Sequence, residues 1–122
     1  MIRKENERTI DIKQNFKDGP GEVHFKTIAS SDELFNKIKM YSVLTFKKDC
    51  GIGYHDHQNE EEIILVLNGK AKYNDDGFET ELEAGDVAIC EDGHSHSITN
   101  VSDEELKIVA MVLCESTTKL KI

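Results

Sequence analysis

The stretch His55-Asp56-His57-Gln58-Asn59-Glu60-Glu61-Glu62-Ile63-Ile64-Leu65-Val66-Leu67-Asn68-Gly69 carries a signal for fold and a signal for chemistry together. Glu62 to Leu67 is rich in β-branched and aliphatic residues and is ended by Asn68-Gly69, so it reads as a strand running into a tight turn. Side chains alternate across a strand, so His55 and His57, two apart, point to the same side. Glu62 is in phase with Ile64 and Val66, whose apolar side chains look inward. Its carboxylate therefore looks inward as well. An inward carboxylate among apolar neighbours costs free energy unless a cation compensates it.

The same alternation continues on both sides of this stretch. Downstream, Lys70 to Asn74 and Phe78 to Glu83 flank the hairpin signal Asp75-Asp76-Gly77. Ala84-Gly85-Asp86 turns into Val87 to Cys90, Asp92-Gly93 turns into His96 to Thr99, and Leu106 to Cys114 closes the series. Upstream, Tyr41 to Lys48 alternates until Asp49-Cys50-Gly51-Ile52-Gly53 breaks it. Many short strands at this spacing predict an all-β sandwich or barrel. His96 heads its strand in phase with Ile98, which turns its imidazole inward. His55, His57, Glu62 and His96 thus form a borderline-hard donor set. It suits a divalent transition metal (Mn, Fe, Co, Ni, Cu or Zn) and suits Ca or Mg poorly. The strand at Glu62 is apolar on its outer face too, at Ile63, Leu65 and Leu67, so a second subunit or the N-terminal strands should cover it.

Residues 1–40 are less regular. Pro20, the one proline, sits in Asp18-Gly19-Pro20-Gly21 and marks a turn. Before it, Thr9 to Lys13 predicts a short strand; after it, Glu22 to Ile28 predicts an edge strand with His24 on its surface. Ser30-Ser31-Asp32-Glu33 has the spacing of a capping box and predicts one short helix from Ser30 to about Met40.

The chain has 122 residues, which is one ordinary domain. With 38% hydrophobic and 32% charged residues, its composition is that of a globular protein. A net charge of −9 repels phosphate backbones and anionic lipid, so neither nucleic acid nor a membrane surface is an expected partner. The longest apolar run, Ile63 to Leu67, is too short to span a bilayer, and no apolar stretch follows the charged N-terminus as a secretion signal would require. The cysteines Cys50, Cys90 and Cys114 are scattered and odd in number, which suits a reducing cytoplasm, with Cys90 and Cys114 expected as buried free thiols.

The motif His55-x-His57-x4-Glu62-x6-Gly69 resembles the first signature of the cupin superfamily. The motif Gly85-x5-Glu91-x-Gly93-x2-His96-x3-Asn100 resembles the second. Asp49 stands where the first signature usually has Gly, with Gly51 and Gly53 available to make the turn, and Glu91 stands where the second usually has Pro. The resemblance implies a single-domain double-stranded β-helix, or jelly-roll barrel, with its barrel over residues 41–114 and a tail at 115–122. It also implies that His55, His57, Glu62 and His96 hold the metal, and that the chain forms a homodimer. Gly21 to Lys26 further resembles the N-terminal strand of small cupins of the oxalate-decarboxylase-like type.

Four ligands on a six-coordinate ion leave positions open for a small oxygen-rich molecule. The family implies dioxygenation, decarboxylation or isomerisation of such a molecule; the alternative is a non-catalytic module that senses or stores a small ligand or metal. Glu62, if it detaches, could serve as a base. Tyr73 is either a cavity hydroxyl or a core residue. His94 is a rim histidine, expected to face away from the ligands, with proton shuttling as its functional alternative. Gly69, Gly85 and Gly93 are expected to make turns, and Asn100 to cap one. Glu60 and Glu61 are expected in an acidic solvated loop, and Lys119 to Ile122 as a tail or a dimer-contacting strand.

Overall fold

Alternating residues resolve into ten strands in the computed structural model, which describes residues 1–115. They are β1 (Ile10–Gln14), β2 (Glu22–Thr27), β3 (Ile38–Phe46), β4 (Gly51–Asp56), β5 (Glu60–Asn68), β6 (Lys70–Asp75), β7 (Phe78–Glu83), β8 (Val87–Cys90), β9 (Ser95–Asn100) and β10 (Leu106–Cys114). A six-stranded sheet runs β1-β2-β3-β10-β5-β8 and a four-stranded sheet runs β4-β9-β6-β7, with every pairing antiparallel. This is the two-sheet jelly roll that the alternation and the cupin resemblance imply.

The core lies between the sheets and draws on every second residue. Leu106, Ile108, Ala110 and Val112 of β10 face it from one sheet, and Ala71, Tyr73 and Ile98 from the other. Each fully buried aliphatic side chain contributes about 1.5–3 kcal/mol of apolar burial. The chain passes from one sheet to the other at Gly69, whose φ is +85°. A Cβ there would stand 2.8 Å from the Glu105 carbonyl oxygen, so both the conformation and the space require glycine. The Asp75–Phe78 connection is a tight hairpin with Asp76 and Gly77 at φ 50° and 101°, and the Gly77 N–H donates to Asn74 Oδ1 at 2.7 Å.

Several expectations are corrected. The helix from Ser30 to Met40 is a single 3-10 turn, Ser31–Leu34. Its capping box forms, with the Ser30 N–H donating to Glu33 Oε1 at 2.9 Å, but Phe35 and Asn36 turn left-handed and stop it. The cap starts a turn, yet Ile38 and Met40 are taken by β3 pairing with Leu113 and Val112 of β10. A helix of that length has little stability without a buried face, so tertiary pairing wins. Glu22–Thr27 is not an edge strand, because β1 pairs along it from Ile10↔Lys26 to Gln14↔Glu22; β1 and β8 are the edges. His24 is accordingly half-buried, with Nε2 3.1 Å from Glu22 Oε1. Nor do Gly51 and Gly53 make the turn after β3: Asp49 itself adopts φ 64°.

The N-terminal strands extend the six-stranded sheet instead of covering its outer face. Among the described residues that face stays apolar and uncovered, with the cross-strand pairs Ile63↔Ile89 and Leu65↔Val87, and Leu65, Leu67, Val87 and Ile89 exposed. The three cysteines are free; Cys90 is buried, whereas Cys114 is only half-buried. No helix among the described residues is long and apolar enough to cross a membrane. Lys119 to Ile122 lie outside the described residues.

Candidate metal centre

Strand register builds the centre. In the β4–β9 pair His55 stands directly opposite His96. His57 lies just past the end of β4, pinned by its own N–H to the His94 carbonyl (3.0 Å) and by the Gly93 N–H to its carbonyl (2.7 Å). Glu62 comes from the other sheet, on β5, between Val112 of β10 and Cys90 of β8. The ligating atoms of His55, His57, Glu62 and His96 all lie within 4.8 Å of one another. His57 Nε2 and His96 Nε2 are 2.9 Å apart, and they stand 3.1 Å and 3.0 Å from Glu62 Oε1. His57, Glu62 and His96 are only 6%, 5% and 2% exposed, while His55 is half-buried.

These spacings fit a shared cation. Two donors about 2.1 Å from one ion, at right angles, stand about 3 Å apart. Two of the three rings also have a hydrogen-bond partner for the other nitrogen. His55 Nδ1–H donates to the Gly53 carbonyl at 2.7 Å, and His96 Nδ1–H donates to the Tyr73 hydroxyl oxygen at 2.8 Å. His57 Nδ1 is buried without a hydrogen bond and faces Glu60 Oε1 at 3.5 Å. Tautomers assigned from these partners place the protons on Nδ1 and leave the Nε2 lone pairs converging, the arrangement that metal-ligating histidines use.

The electrostatics agree. Burial pushes the Glu62 carboxyl up, but its close contacts with the His57 and His96 rings outweigh that and hold it at about 2. The Glu62 hydrogen bond raises His57 above its ordinary value against the opposing effect of burial. His55 is lowered, chiefly by burial. Cys90, opposite Glu62, is pushed up to about 12 by burial and then by the Glu62 charge, so it stays a neutral thiol.

The other candidates separate. Tyr73 is 2% exposed, and its hydroxyl is engaged by His96. Burial raises its phenol, which keeps it neutral and able to accept the ring proton. His94 precedes β9, is exposed, and stands 3.8 Å from Asp76 Oδ2. Glu60 is the residue the sequence reading missed. Rather than lying in a solvated loop with Glu61, it begins β5, and its side chain is 15% exposed. Its carboxylate sits between His57 Nδ1 and Lys39 Nζ, 3.4 Å from the latter. The signal was available, because Glu60 shares the strand parity of Glu62.

A cavity of about 340 Å³ between the sheets contains this cluster. Its walls include Leu44, Ile64, Ile98 and Ile108, and Lys13, Lys17 and Lys39 line it as well. A concave, partly open space with apolar walls and a few convergent polar groups is the usual form of a small-molecule site.

Comparison with known proteins agrees with this geometry. The chain is 29% identical, over 93% of its length and 93% of the relative's, to a Thermotoga maritima protein described as an oxalate-binding protein. It superposes with a TM-score of 0.89 on the crystal structure of a predicted oxalate decarboxylase from the same organism, at 29% identity over 93% of this chain and 99% of that one. The Schizosaccharomyces pombe Cnp3 cupin domain shares the fold at 12% identity, with a TM-score of 0.71 over 88% of this chain and 70% of that one. The cupin domain family model matches residues 42–112, more than half of the chain. With the jelly roll and the two signatures in place, the chain belongs to the cupin domain family.

Proposed function

We propose that this protein is a metal-dependent cupin enzyme acting on a small oxygen-rich carboxylic acid by decarboxylation, dioxygenation or isomerisation. The observation that carries the reading is the convergence of three imidazole nitrogens and one ionised carboxylate, from His55, His57, Glu62 and His96, on one point in the cavity. A divalent transition ion held there supplies Lewis acidity toward an oxygen of the ligand. The chain's own residues do the rest. Gly53 and Tyr73 orient two of the rings and Glu60 faces the third, the apolar part of the walls reduces solvation of the charges inside, and Glu62, if it detaches from the ion, would be the carboxylate to take a proton. The likeness to an oxalate-binding protein and to a predicted oxalate decarboxylase supports a carboxylic acid as the ligand class. The relative's description as a binding protein also favours a second reading, a module that holds its acid without turning it over.

Elemental analysis of protein purified without chelator tests the centre. About one divalent transition ion per chain is expected, with occupancy falling as the pH drops below about 6, because protons compete for the imidazoles. Full retention at pH 4.5, or no metal under any condition, would count against the proposal. Assaying the loaded protein on a panel of carboxylic acids separates the two readings, since tight binding without turnover selects the second.

We also propose that two copies pair through the open apolar face of β5 and β8. Residues such as Val87 and Ile89, at 55% and 52% exposure, form a contiguous patch of the kind that marks an interaction surface. Light scattering should return twice the chain mass of 13.8 kDa, and Leu65→Asp should halve it. A monomeric wild type would end this assignment.

A further inference from the structure

The cavity has a second polar feature, away from the four converging donors. Lys13 of β1 lies in the six-stranded sheet, whereas His55 and His96 lie in the four-stranded one. Its ammonium sits 4.8 Å from the Phe16 ring centre and 5.2 Å from that of Phe25, and the two rings meet edge to face at 5.4 Å. Its carboxylate neighbour, Asp11 Oδ2, is 3.7 Å away, too far for a tight charge-assisted hydrogen bond. Lys13 therefore has a defined position on an aromatic pair and donors to spare, and it lines the cavity. Lys17 stands beside it, 5.4 Å over Phe16.

The backbone that presents these groups is strained. Asn15, Lys17 and Asp18, between β1 and β2, adopt φ 46°, 53° and 62°. Non-glycine residues enter that region at a cost and tend to cluster at functional sites. The turn is held against β4 at close range: a Cβ on Gly53 would stand 1.9 Å from the Lys17 carbonyl oxygen. Gly53 is also the residue whose carbonyl orients His55. One packed contact thus ties the aromatic–lysine group to the His/Glu centre, in a chain whose net charge of −9 otherwise repels anions.

The cavity that holds both features is also lined by apolar residues such as Leu44, Ile52 and Ile108. Oxalate, with its carboxyl groups directly bonded, has no apolar body to place against them. We propose that Lys13 receives the distal carboxylate of a ligand whose other polar end lies at the His/Glu centre. The natural ligand is then an oxo- or hydroxy-acid with a second carboxylate beyond a short hydrocarbon spacer. This rests on the His/Glu cluster being the ligand-binding metal centre proposed above.

The test uses acids with identical heads and tails that differ in charge. The full-length chain loaded with zinc would be titrated calorimetrically with 2-oxoglutarate and 2-oxopentanoate, then with 2-oxoadipate and 2-oxohexanoate. In at least one pair the diacid should bind about tenfold more tightly than its methyl-terminated counterpart. Lys13→Met, which keeps the apolar stem against Phe16 and Phe25, should abolish that margin without altering binding of the methyl-terminated acid. Lys13→Arg should keep it. Equal binding within both pairs, or a margin that survives Lys13→Met, would overturn the role of Lys13 and leave the His/Glu centre standing. Failure of all four acids to bind would remove both.

Discussion

Replacing His96 by alanine is expected to weaken zinc binding by more than about 100-fold, measured by competition with a chromogenic chelator. Removing a side chain that only supports a ligand costs about 10–100-fold, and His96 is itself a converging donor. Its ring is 2% exposed and fixed from both sides, with Nε2 3.0 Å from Glu62 Oε1 and Nδ1 held by Tyr73 at 2.8 Å. The alanine variant also leaves Glu62 with one imidazole fewer in a site where burial works against its charge. Tyr73→Phe isolates the supporting contact: it keeps the ring volume and removes only the acceptor, so about a tenfold loss is expected. His94→Ala, on an exposed side chain beside Asp76, should leave affinity within twofold, roughly the scatter of such measurements. If His96→Ala bound zinc as the wild type does, the four residues would not form one centre.

Asn100→Leu is expected to destabilise the fold by about 4 kcal/mol, read as a lower urea midpoint at unchanged m-value. Asn100 is fully buried, and its amide is fully used. Nδ2 donates to the Phe46 carbonyl at 3.0 Å and to the Glu104 carbonyl at 2.8 Å. Oδ1 accepts from the Ser102 N–H and hydroxyl, each at 2.8 Å. Leucine keeps the branched shape, with bulkier methyl groups, but leaves these buried groups without partners, and an unsatisfied buried polar group costs about 1–3 kcal/mol. A loss below about 1 kcal/mol would mean that water replaces the amide and that Asn100 is no structural staple.

Asn100 also shows how far the sequence could be read. Its motif position and residue type pointed to a turn cap, and the bonds within residues 100–104 are that cap. The bond to Phe46 crosses to a strand 54 residues away, a contact with no local signature. Glu60 failed for a different reason. Its parity is readable, but the acidic run Glu60-Glu61-Glu62 looks like a solvated loop and hides that β5 begins at Glu60, two residues before the apolar run implies. Pairing of Glu60 with Cys114 draws that run into the sheet. The lost helix has the same cause in reverse: a genuine local cap at Ser30, overruled when β10 claims Ile38 and Met40.

Alternation alone determined the all-β architecture and that Glu62 faces inward with the histidines, because side-chain direction along a strand is a local property of the backbone. Turn chemistry at Asp75-Asp76-Gly77 and at Asn68-Gly69 was equally local. Only the tertiary structure decided what surrounds the donors: Tyr73 on His96, Glu60 on His57, and Lys13 on its aromatic pair across the cavity. Those contacts depend on strand order and register, even where, as for Glu60–His57 and Lys13–Phe16, the partners are only three residues apart in the chain. Pairing and packing energies, which no short stretch of sequence contains, select both.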